Sequence, residues 1–201
     1  MALSWAFAAA GAGAASEVGK ESDERWPAIL QMVERADTIQ TSSAGRLFDA
    51  VAALLGVRTK VTYEGQAAIE LEALASSIPI ADAPSYGMET TRREGMLVLD
   101  PCPLVATVIE EQAGATPAAE IAAGFHAALG KAAAAAATIL AAENQINTVA
   151  LSGGVFQNAR LTKIVVSELE ATGHEVLIHQ RVPPNDGGIS VGQAGIAAAA
   201  P

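Results

Sequence analysis

The chain has 201 residues, of which 51% are hydrophobic and 17% charged, and its formal net charge is −10. This length and apolar content provide for a buried core and exclude a disordered tail, and the acidic balance argues against a nucleic-acid partner. The single cysteine, Cys102, excludes an internal disulfide framework and a cysteine-rich metal site. Composition therefore predicts an acidic, alanine-rich α/β domain, with the cytoplasm as the expected location.

Two apolar stretches resemble membrane signals without meeting their requirements. Residues 1–16 carry no charge, but the first cation, Lys20, follows the apolar stretch, whereas a signal peptide begins with basic residues. Residues 117–142 include the alanine run 132–137, and alanine enters lipid weakly while it has the strongest helix propensity. We therefore expect a long core helix, no targeting segment and no membrane partner.

The first hundred residues are predicted to be mostly helical. Residues 1–40 are typical of one or two helices separated by the charged link 17–25, with Pro27 in a first helical turn. Apolar spacing predicts a helix over Thr41–Gly56, capped by Ser42 or Ser43. The remaining predicted elements are a helix at 65–76, a connection that could hold a short strand at 77–94, and a strand at 96–100 that ends before Pro101.

The last third of the chain alternates between helices and strands. The pattern predicts a helix at 117–142, a strand at 148–152, a helix at 158–172, a strand at 175–178 and a closing helix from about Ile189. Such alternation predicts parallel strands joined by right-handed crossovers. No internal repeat is visible, and we expect residues 1–201 to form a single partial domain without an internal boundary.

The first candidate site is the segment Ser152–Asn158, with the sequence SGGVFQN, at a predicted strand-to-helix junction. Glycines there allow backbone N–H groups to approach a phosphate, and the following helix N-terminus favours an anion. The segment is neither a P-loop nor a dinucleotide-binding fingerprint. From spacing alone, a tight turn that binds nothing is equally expected, with Asn158 serving only as a helix cap.

The second candidate is Asp186, in the segment 183–190 with the sequence PPNDGGIS. A carboxylate at the tip of a stiff loop suits a metal ion or a metal-bridged phosphate, because hard cations prefer oxygen ligands. On chemistry alone, an aspartate that caps a turn is the more frequent case.

The third candidate is Asp49, on the predicted helix 41–56. Gly45, Ala52 and Ala53 lie three or four residues away, so the carboxylate shares a face with small side chains. It could accept two hydrogen bonds from a ribose diol, although a solvated surface aspartate is the more common case. Tyr63–Gln66 is a weaker cluster, in which Glu64 favours the helix N-terminus without any ligand.

The histidines do not point to a catalytic or metal site. His174 and His179 differ by an odd number of residues around a predicted strand, so they should face opposite sides and not chelate together. His126 lies inside the long helix and is expected to be a packed residue. No Ser/His/Asp triad can be argued, and the catalytic residues are left unassigned.

Four segments, taken in order, resemble a known family: TSSAGRLFDAVA (41–52), YEGQAA (63–68), LSGGVFQN (151–158) and PPNDGGISVGQ (183–193). They closely resemble the C-terminal part of the HypF carbamoyltransferases, which mature [NiFe] hydrogenases. The resemblance covers residues 26–198 and extends to Met1. It implies the second lobe of an actin-like ATPase (ribonuclease H-like) fold, helix-rich with a small sheet and related to the TsaD-type tRNA threonylcarbamoyl transferases. Arg46 replaces the Glu of those relatives and favours the HypF branch.

The resemblance also implies an activity and site residues. Family members use ATP, form a carbamoyl adenylate and pass the carbamoyl group to the C-terminal cysteine of HypE, with a divalent metal, zinc or iron, at the phosphate. By motif, the nucleotide would contact Asp49 (on the ribose hydroxyls), Gly65, Gly153, Gly154 and Asn158. Asp186 would be the metal ligand.

Parts of the family pattern are missing from this sequence. It has no His-x-x-x-His motif, which completes the family's metal site, and none of the acylphosphatase-like, zinc-finger and YrdC-like regions. We therefore expect half of an active site, inactive in isolation, with those regions and the first lobe as partners. The alternative is a non-catalytic nucleotide-binding or interaction lobe of the same superfold. A kinase would need a phosphoryl-acceptor base and a matching first lobe, which do not appear here.

Overall fold

The computed structural model describes residues 1–22, 24–36, 39 and 41–199. The chain divides into two compact units, Met1–Leu129 and Gly130–Pro201. The described ranges form a helix-rich α/β structure with two small sheets, as predicted. The elements are α1 (Ala2–Ser22), α2 (Trp26–Glu34), α3 (Ala44–Leu54), α4 (Gln66–Ala75), β1 (Glu89–Arg93), β2 (Met96–Asp100), α5 (Cys102–Ala113), α6 (Ala118–Asn144), β3 (Thr148–Leu151), α7 (Ala159–Ala171), β4 (Glu175–Ile178) and α8 (Ile189–Ala199).

In the first unit α1 packs against α2, α3 and α5, and α3 packs against α4. A cluster of three aromatic rings lies in the core of this unit. The Phe48 ring contacts the rings of Phe125 and His126 edge-on, at centroid distances of 5.1 and 5.2 Å. His126 is fully buried, and its Nδ1 lies 2.7 Å from the carbonyl oxygen of Ala122. The prediction of a packed histidine is confirmed.

Helix α3 begins and ends as the sequence predicts. Ser43 is the N-cap, and its hydroxyl accepts a hydrogen bond from the backbone N–H of Arg46 at 3.4 Å. Gly56 follows the helix in the left-handed conformation, with φ of 69°, which glycine adopts without strain. Local sequence signals therefore fix this helix, which carries Asp49.

Two elements of the first unit differ from the expectation. Strand β2 forms at 96–100 as predicted. It pairs in an antiparallel hairpin with β1, which lies where the sequence suggested only a connection that could hold a short strand. Pro101 and Pro103 do not merely close the strand, because they start α5, where proline is tolerated in the first turn. Asp100 assists this start, since its Oδ1 accepts a hydrogen bond from the backbone N–H of Cys102 at 3.0 Å.

The second unit contains the predicted parallel strand pair. Strands β3 and β4 align so that Leu151 lies opposite Ile178, and α7 connects them. Gly130 of α6 lets Ile164 of α7 come close, because a Cβ at Gly130 would lie 2.6 Å from the Ile164 Cγ2. Every residue of α8 is exposed. The sheet therefore brings the loops that follow β3 and β4 to one edge.

Among the described residues, helix α6 is long and apolar enough to cross a membrane. Its residues 121–130 are all buried inside the protein. This burial is typical of a core helix, in agreement with the sequence prediction.

Candidate functional site

In the second unit, the glycine-rich loop that follows β3 and the one that follows β4 are linked by a main-chain hydrogen bond. The Gly153 N–H donates a hydrogen bond to the Pro184 carbonyl oxygen at 2.8 Å. A Cβ built on Gly154 would lie 3.9 Å from the Cβ of Asn185. The loops follow β3 and β4, and ligands of open α/β sheets bind outside the carboxyl ends of parallel strands. Two of the motifs singled out in the sequence thus lie side by side.

Gly153 has a backbone conformation that only glycine adopts readily. Its φ is 105° and its ψ is 156°. No heavy atom lies within 4 Å of the position where a Cβ would be, so the space beside its backbone is open. A ligand could therefore approach the main chain closely at this corner.

The loop before α8 is closed by hydrogen bonds within the loop itself. Asn185 Oδ1 accepts a hydrogen bond from the Gly187 N–H at 3.1 Å, and the Gly188 N–H donates to the Asn185 carbonyl at 2.9 Å. A Cβ on Gly188 would lie 2.6 Å from the Pro183 carbonyl oxygen, which explains the glycine. Asn185, and not Asp186, is therefore the capping residue. Asp186 is exposed at the loop tip, so the alternative of a capping aspartate does not apply.

Asn158 has the capping role that the sequence left open. Its Oδ1 accepts a hydrogen bond from the Leu161 N–H at 2.7 Å, at the start of α7, and the residue is only 8% exposed. The cap fixes the helix N-terminus beside the Gly153–Gly154 corner. A direct contact between Asn158 and a nucleotide stays a prediction.

In the first unit Asp49 is engaged by a neighbour on the same helix. Its Oδ2 lies 2.9 Å from an Nη of Arg46, one helical turn earlier, and its side chain is 20% exposed. Ala52, on the following turn, is fully buried. The carboxylate therefore lies at the surface of α3 with one oxygen paired to Arg46, and its predicted contact with a ribose stays a prediction.

Gly65 starts α4 in the left-handed conformation, with φ of 78°. A polar network supports this turn: Gln66 Oε1 accepts from the Thr62 N–H at 2.8 Å, and Gln66 Nε2 donates to Glu70 at 3.0 Å. Arg58 donates two hydrogen bonds to the Glu70 carboxylate, both 2.7 Å long. The bond from Arg58, followed by that from Gln66, lowers the pKa of Glu70. Gly65 therefore lies in a turn whose shape is fixed from both sides.

The six predicted site residues are divided between the two units. Asp49 and Gly65 belong to Met1–Leu129, and Gly153, Gly154, Asn158 and Asp186 belong to Gly130–Pro201. The geometry brings the Gly153–Gly154 corner and the Asp186 loop together within the second unit. Convergence of both groups on one nucleotide stays a prediction.

The residues present do not by themselves fit the predicted metal. In the described ranges no three His, Cys, Asp or Glu side chains are grouped as ligands. Protein sites for a tightly bound transition metal generally use three or four ligands. Asp186 offers one carboxylate, so a metal at this position would need ligands from outside this chain.

Sequence reasoning missed one polar pair. His179 Nε2 lies 3.1 Å from the Ser152 Oγ. These residues directly follow Leu151 and Ile178, which are partners in the strand register. Equal offsets after two paired parallel strands were the signal that could have predicted the contact.

Comparison with known proteins assigns the chain to a class. Residues 1–193 match the sequence model of the family "Carbamoyltransferase, Kae1-like Domain, second subdomain". The chain belongs to this family. Its curated relatives include the carbamoyltransferase HypF of Rhodobacter capsulatus, 43% identical over 79% of this chain, and that of Synechocystis, 37% identical over 82%. The alignments span 20% of each of these two relatives, so the chain corresponds to about a fifth of their length.

Solved structures agree with this assignment. Full-length HypF in a phosphate- and nucleotide-bound form superposes with a TM-score of 0.81 at 38% identity, over 90% of this chain and 24% of that protein. HypF of T. kodakarensis superposes with a TM-score of 0.80 at 29% identity, over 97% of this chain and 26% of the other. The predicted resemblance and fold class are confirmed.

Proposed function

We propose that this chain supplies nucleotide contacts and one metal ligand to an ATP-dependent carbamoyltransferase. In this proposal the enzyme forms a carbamoyl adenylate and transfers the carbamoyl group to the C-terminal cysteine of HypE. The observation that carries the proposal is the main-chain link between Gly153 and Pro184, which sets the glycine corner beside the loop of Asp186. Family membership gives this arrangement its chemical interpretation.

The second unit would bind the phosphate side of the nucleotide. The N-terminus of α7 favours a negatively charged group through its partial positive charge. The open space beside Gly153, whose N–H already donates to Pro184, would give that group room to approach. Asp186, released from capping by Asn185, would contribute a carboxylate oxygen to a zinc or iron ion. Bound there with ligands from outside this chain, the ion would offset phosphate charge.

The first unit would bind the nucleoside. The Asp49 carboxylate pairs with Arg46 through Oδ2, and its other oxygen would accept hydrogen bonds from a ribose diol. Gly65 would let the nucleoside approach the turn, because a Cβ there would meet only the Ile69 Cδ1, at 4.0 Å. Both contacts would supply binding and orientation rather than proton transfer.

The whole reaction would require more protein than this chain. The relatives are about five times longer, and the nucleotide-bound neighbour is a full-length HypF. We propose that the preceding lobe and the YrdC-like, zinc-finger and acylphosphatase-like regions supply the remaining metal ligands and carbamoyl adenylate synthesis. This chain alone would bind nucleotide weakly, because half of the enclosing cleft would be missing.

Reconstitution with the preceding region of a full-length relative tests the proposal. The assay measures AMP released from ATP and carbamoyl phosphate, and carbamoylation of the HypE thiol by mass spectrometry. We expect Asp186→Asn to lower transfer at least about 100-fold, because a direct metal ligand is lost. The matched control is Asp82→Asn, another exposed aspartate in a short 3-10 turn, which should transfer normally. Normal transfer by Asp186→Asn would refute the metal-ligand role.

Nucleotide binding, measured by calorimetry, is compared with AMP release and carbamoyl transfer to separate the enzyme from the non-catalytic alternative. Asp49→Ala should weaken nucleotide binding to the reconstituted protein about tenfold, the value of one or two lost hydrogen bonds to a charged group. Unchanged affinity would remove the ribose assignment. Nucleotide binding without AMP release or transfer in the unaltered protein would support a binding lobe that has lost its chemistry.

A further inference from the structure

Tyr63, in the loop between α3 and α4, differs from the other aromatic residues in its exposure. Within the described part of the chain it is the only exposed aromatic side chain, at 53%, whereas Phe48 and Phe125 lie in the core. An aromatic ring contributes a large apolar area to a contact, and it prefers an offset stack or an edge-on contact with another π-system. Tyr63 therefore presents much of its ring to solvent at a position where a flat ligand could use it.

The backbone around this ring is held by hydrogen bonds. Gln66 Oε1 accepts from the Thr62 N–H at 2.8 Å and from the Thr62 hydroxyl at 3.2 Å. The backbone N–H of Gln66 donates to the Tyr63 carbonyl oxygen at 3.4 Å, and Gln66 itself is buried. A tyrosine side chain has two main torsions, so its ring provides contact area at a low cost in conformational entropy. The exposed ring is thus carried by a backbone with a defined path.

The charges of this loop favour an uncharged group over a phosphate. Glu64 is exposed directly before Gly65, the N-cap of α4, and its carboxylate supplies the negative charge that a helix N-terminus favours. The Arg58 guanidinium donates two hydrogen bonds of 2.7 Å to the Glu70 carboxylate. Lys60 and Glu64 are the remaining charges of the loop and have opposite signs. The loop therefore has no net charge that would attract phosphates, and the base is the uncharged part of a nucleotide.

Gly65 leaves open space two residues after Tyr63. Its φ is 78°, and a Cβ built there would meet the Ile69 Cδ1 at 4.0 Å, an ordinary contact distance. Ile69 is itself 54% exposed. A flat apolar group therefore has room along the main chain at this turn, with exposed aromatic and aliphatic side chains nearby in the sequence.

We propose that Tyr63 is a specificity-determining residue that stacks on the base of the bound nucleotide. The inference rests on the proposed function, in which Asp49 contacts the ribose hydroxyls and Gly65 the nucleoside. It extends that function by naming the side chain that recognises the base, because a carboxylate on the ribose does not distinguish a nucleotide from a sugar phosphate. Stacking uses the π-face that every base possesses, so Tyr63 selects for the presence of a base.

The test compares a nucleotide with the same molecule lacking its base. Calorimetry on the protein reconstituted with the preceding region measures the affinities for ATP and for ribose 5-triphosphate. We expect Tyr63→Leu to weaken ATP binding at least about fivefold, since one lost base–aromatic stack has roughly this effect or more. Binding of ribose 5-triphosphate should change less than about twofold, because this ligand has no base to stack. A merely structural role of Tyr63 would weaken both ligands alike.

Two further variants separate the aromatic face from other properties of the loop. Tyr63→Phe keeps the ring and removes the hydroxyl, so ATP affinity should stay within about twofold of the unaltered protein. Val61→Ala is the matched control, because Val61 lies in the same loop and is 55% exposed, close to the 53% of Tyr63. It removes aliphatic surface without removing a π-face and should change ATP affinity less than about twofold.

A tryptophan at position 63 gives a local readout. In Tyr63→Trp the indole should stack on the base, so ATP should quench its fluorescence and ribose 5-triphosphate should not. Met96→Trp places an indole at another exposed position of the first unit, on β2, where the side chain is 65% exposed. Its fluorescence should not change when ATP is added.

Three results would overturn the stacking role while the proposed function stands. These are unchanged ATP affinity of a folded Tyr63→Leu variant, an equal loss of affinity for ATP and ribose 5-triphosphate, and no quenching of Tyr63→Trp by bound ATP. Should Tyr63→Leu fail to fold, the fluorescence of Tyr63→Trp decides. If the unaltered reconstituted protein binds no nucleotide, the proposed function fails and the stacking role fails with it.

Discussion

The two units hold their candidate ligand residues by different means. In Met1–Leu129 the carboxylate of Asp49 lies on a helix and is paired with Arg46 one turn away. In Gly130–Pro201 the candidates lie on loops that are closed by main-chain hydrogen bonds, and Asp186 is exposed at a tip. The first unit thus presents its candidate carboxylate from a helix, and the second presents its candidates from loops with a defined backbone path.

This difference suggests which substitutions each unit tolerates. A residue on a helix can be replaced without changing the path of the chain, so its loss removes one contact. A loop that depends on a positive φ changes its shape when the glycine is replaced, so several ligand contacts move together. The following predictions compare the two units, beginning with the largest expected effect.

The largest effect concerns close packing against α6, which uses glycine in both units. A Cβ on Gly124 would overlap the Tyr86 ring, and a Cβ on Gly130 would lie 2.6 Å from Ile164. We expect Gly124→Ala and Gly130→Ala each to lower the free energy of unfolding by about 1 to 3 kcal/mol, measured by urea denaturation. Gly13→Ala, in α1 with nothing within 4 Å, should instead be neutral or stabilising. Neutral behaviour of all three variants would contradict the packing described for α6.

The next effect compares two of the positive-φ glycines, one from each unit. Gly65, at φ 78° and ψ −2°, is in the left-handed region that asparagine tolerates, whereas Gly153, at φ 105° and ψ 156°, is not. Gly153→Asn should cost about 1 to 3 kcal/mol of unfolding free energy, and Gly65→Asn less than about 1 kcal/mol. Equal costs would show that the backbone of the Gly153 corner is not the constrained element.

Asn158 allows its capping role to be separated from a ligand contact. Asn158→Ala removes the acceptor for the Leu161 N–H and should cost about 1 kcal/mol, whereas Asn158→Asp keeps an acceptor and most of the stability. Thermal unfolding measures the first effect, and calorimetry on the reconstituted protein measures nucleotide affinity. If Asn158→Asp binds nucleotide normally, the residue acts only as a cap.

The smallest effect is a pH dependence in the first unit. Because Arg58 and Gln66 lower the pKa of Glu70, this carboxylate stabilises the fold above its unfolded pKa, and that contribution is lost as the pH falls through the lower folded pKa. Glu70→Gln should therefore reduce stability at neutral pH and make unfolding less sensitive to acid. Chemical denaturation from neutral pH to below pH 4 tests this. An identical acid response in both proteins would show that Glu70 makes no such contribution.

The sequence predicts most of the helices because their signals are local. Ser43 and Gly56 mark the ends of α3, and β4 forms at residues 175–178 as predicted. The strand β2 was predicted, but its pairing with β1 and the helix α5 were missed. The pairing depends on cross-strand contacts, and prolines can either end a strand or start a helix.

The sequence predicts the candidate site only in part. Motif order identified the two loops of the second unit, but not the Gly153–Pro184 bond that joins them, since the two positions are distant along the chain. Whether Asn185 or Asp186 caps the turn could be decided only from the structure, because Asn and Asp have nearly equal preference for capping. Pairing between non-adjacent segments is information that single-sequence patterns do not contain.

The bond from the Gly153 amide to the Pro184 carbonyl has an evolutionary consequence. Its acceptor is a carbonyl group that every amino acid possesses, so replacement at position 184 leaves the acceptor atom in place. Homologous chains could therefore vary the residue at position 184 while they retain the same spacing between the two loops, whereas replacing Gly153 or Gly188 would change the shape of a loop. Insertions and deletions would be the changes that selection removes there.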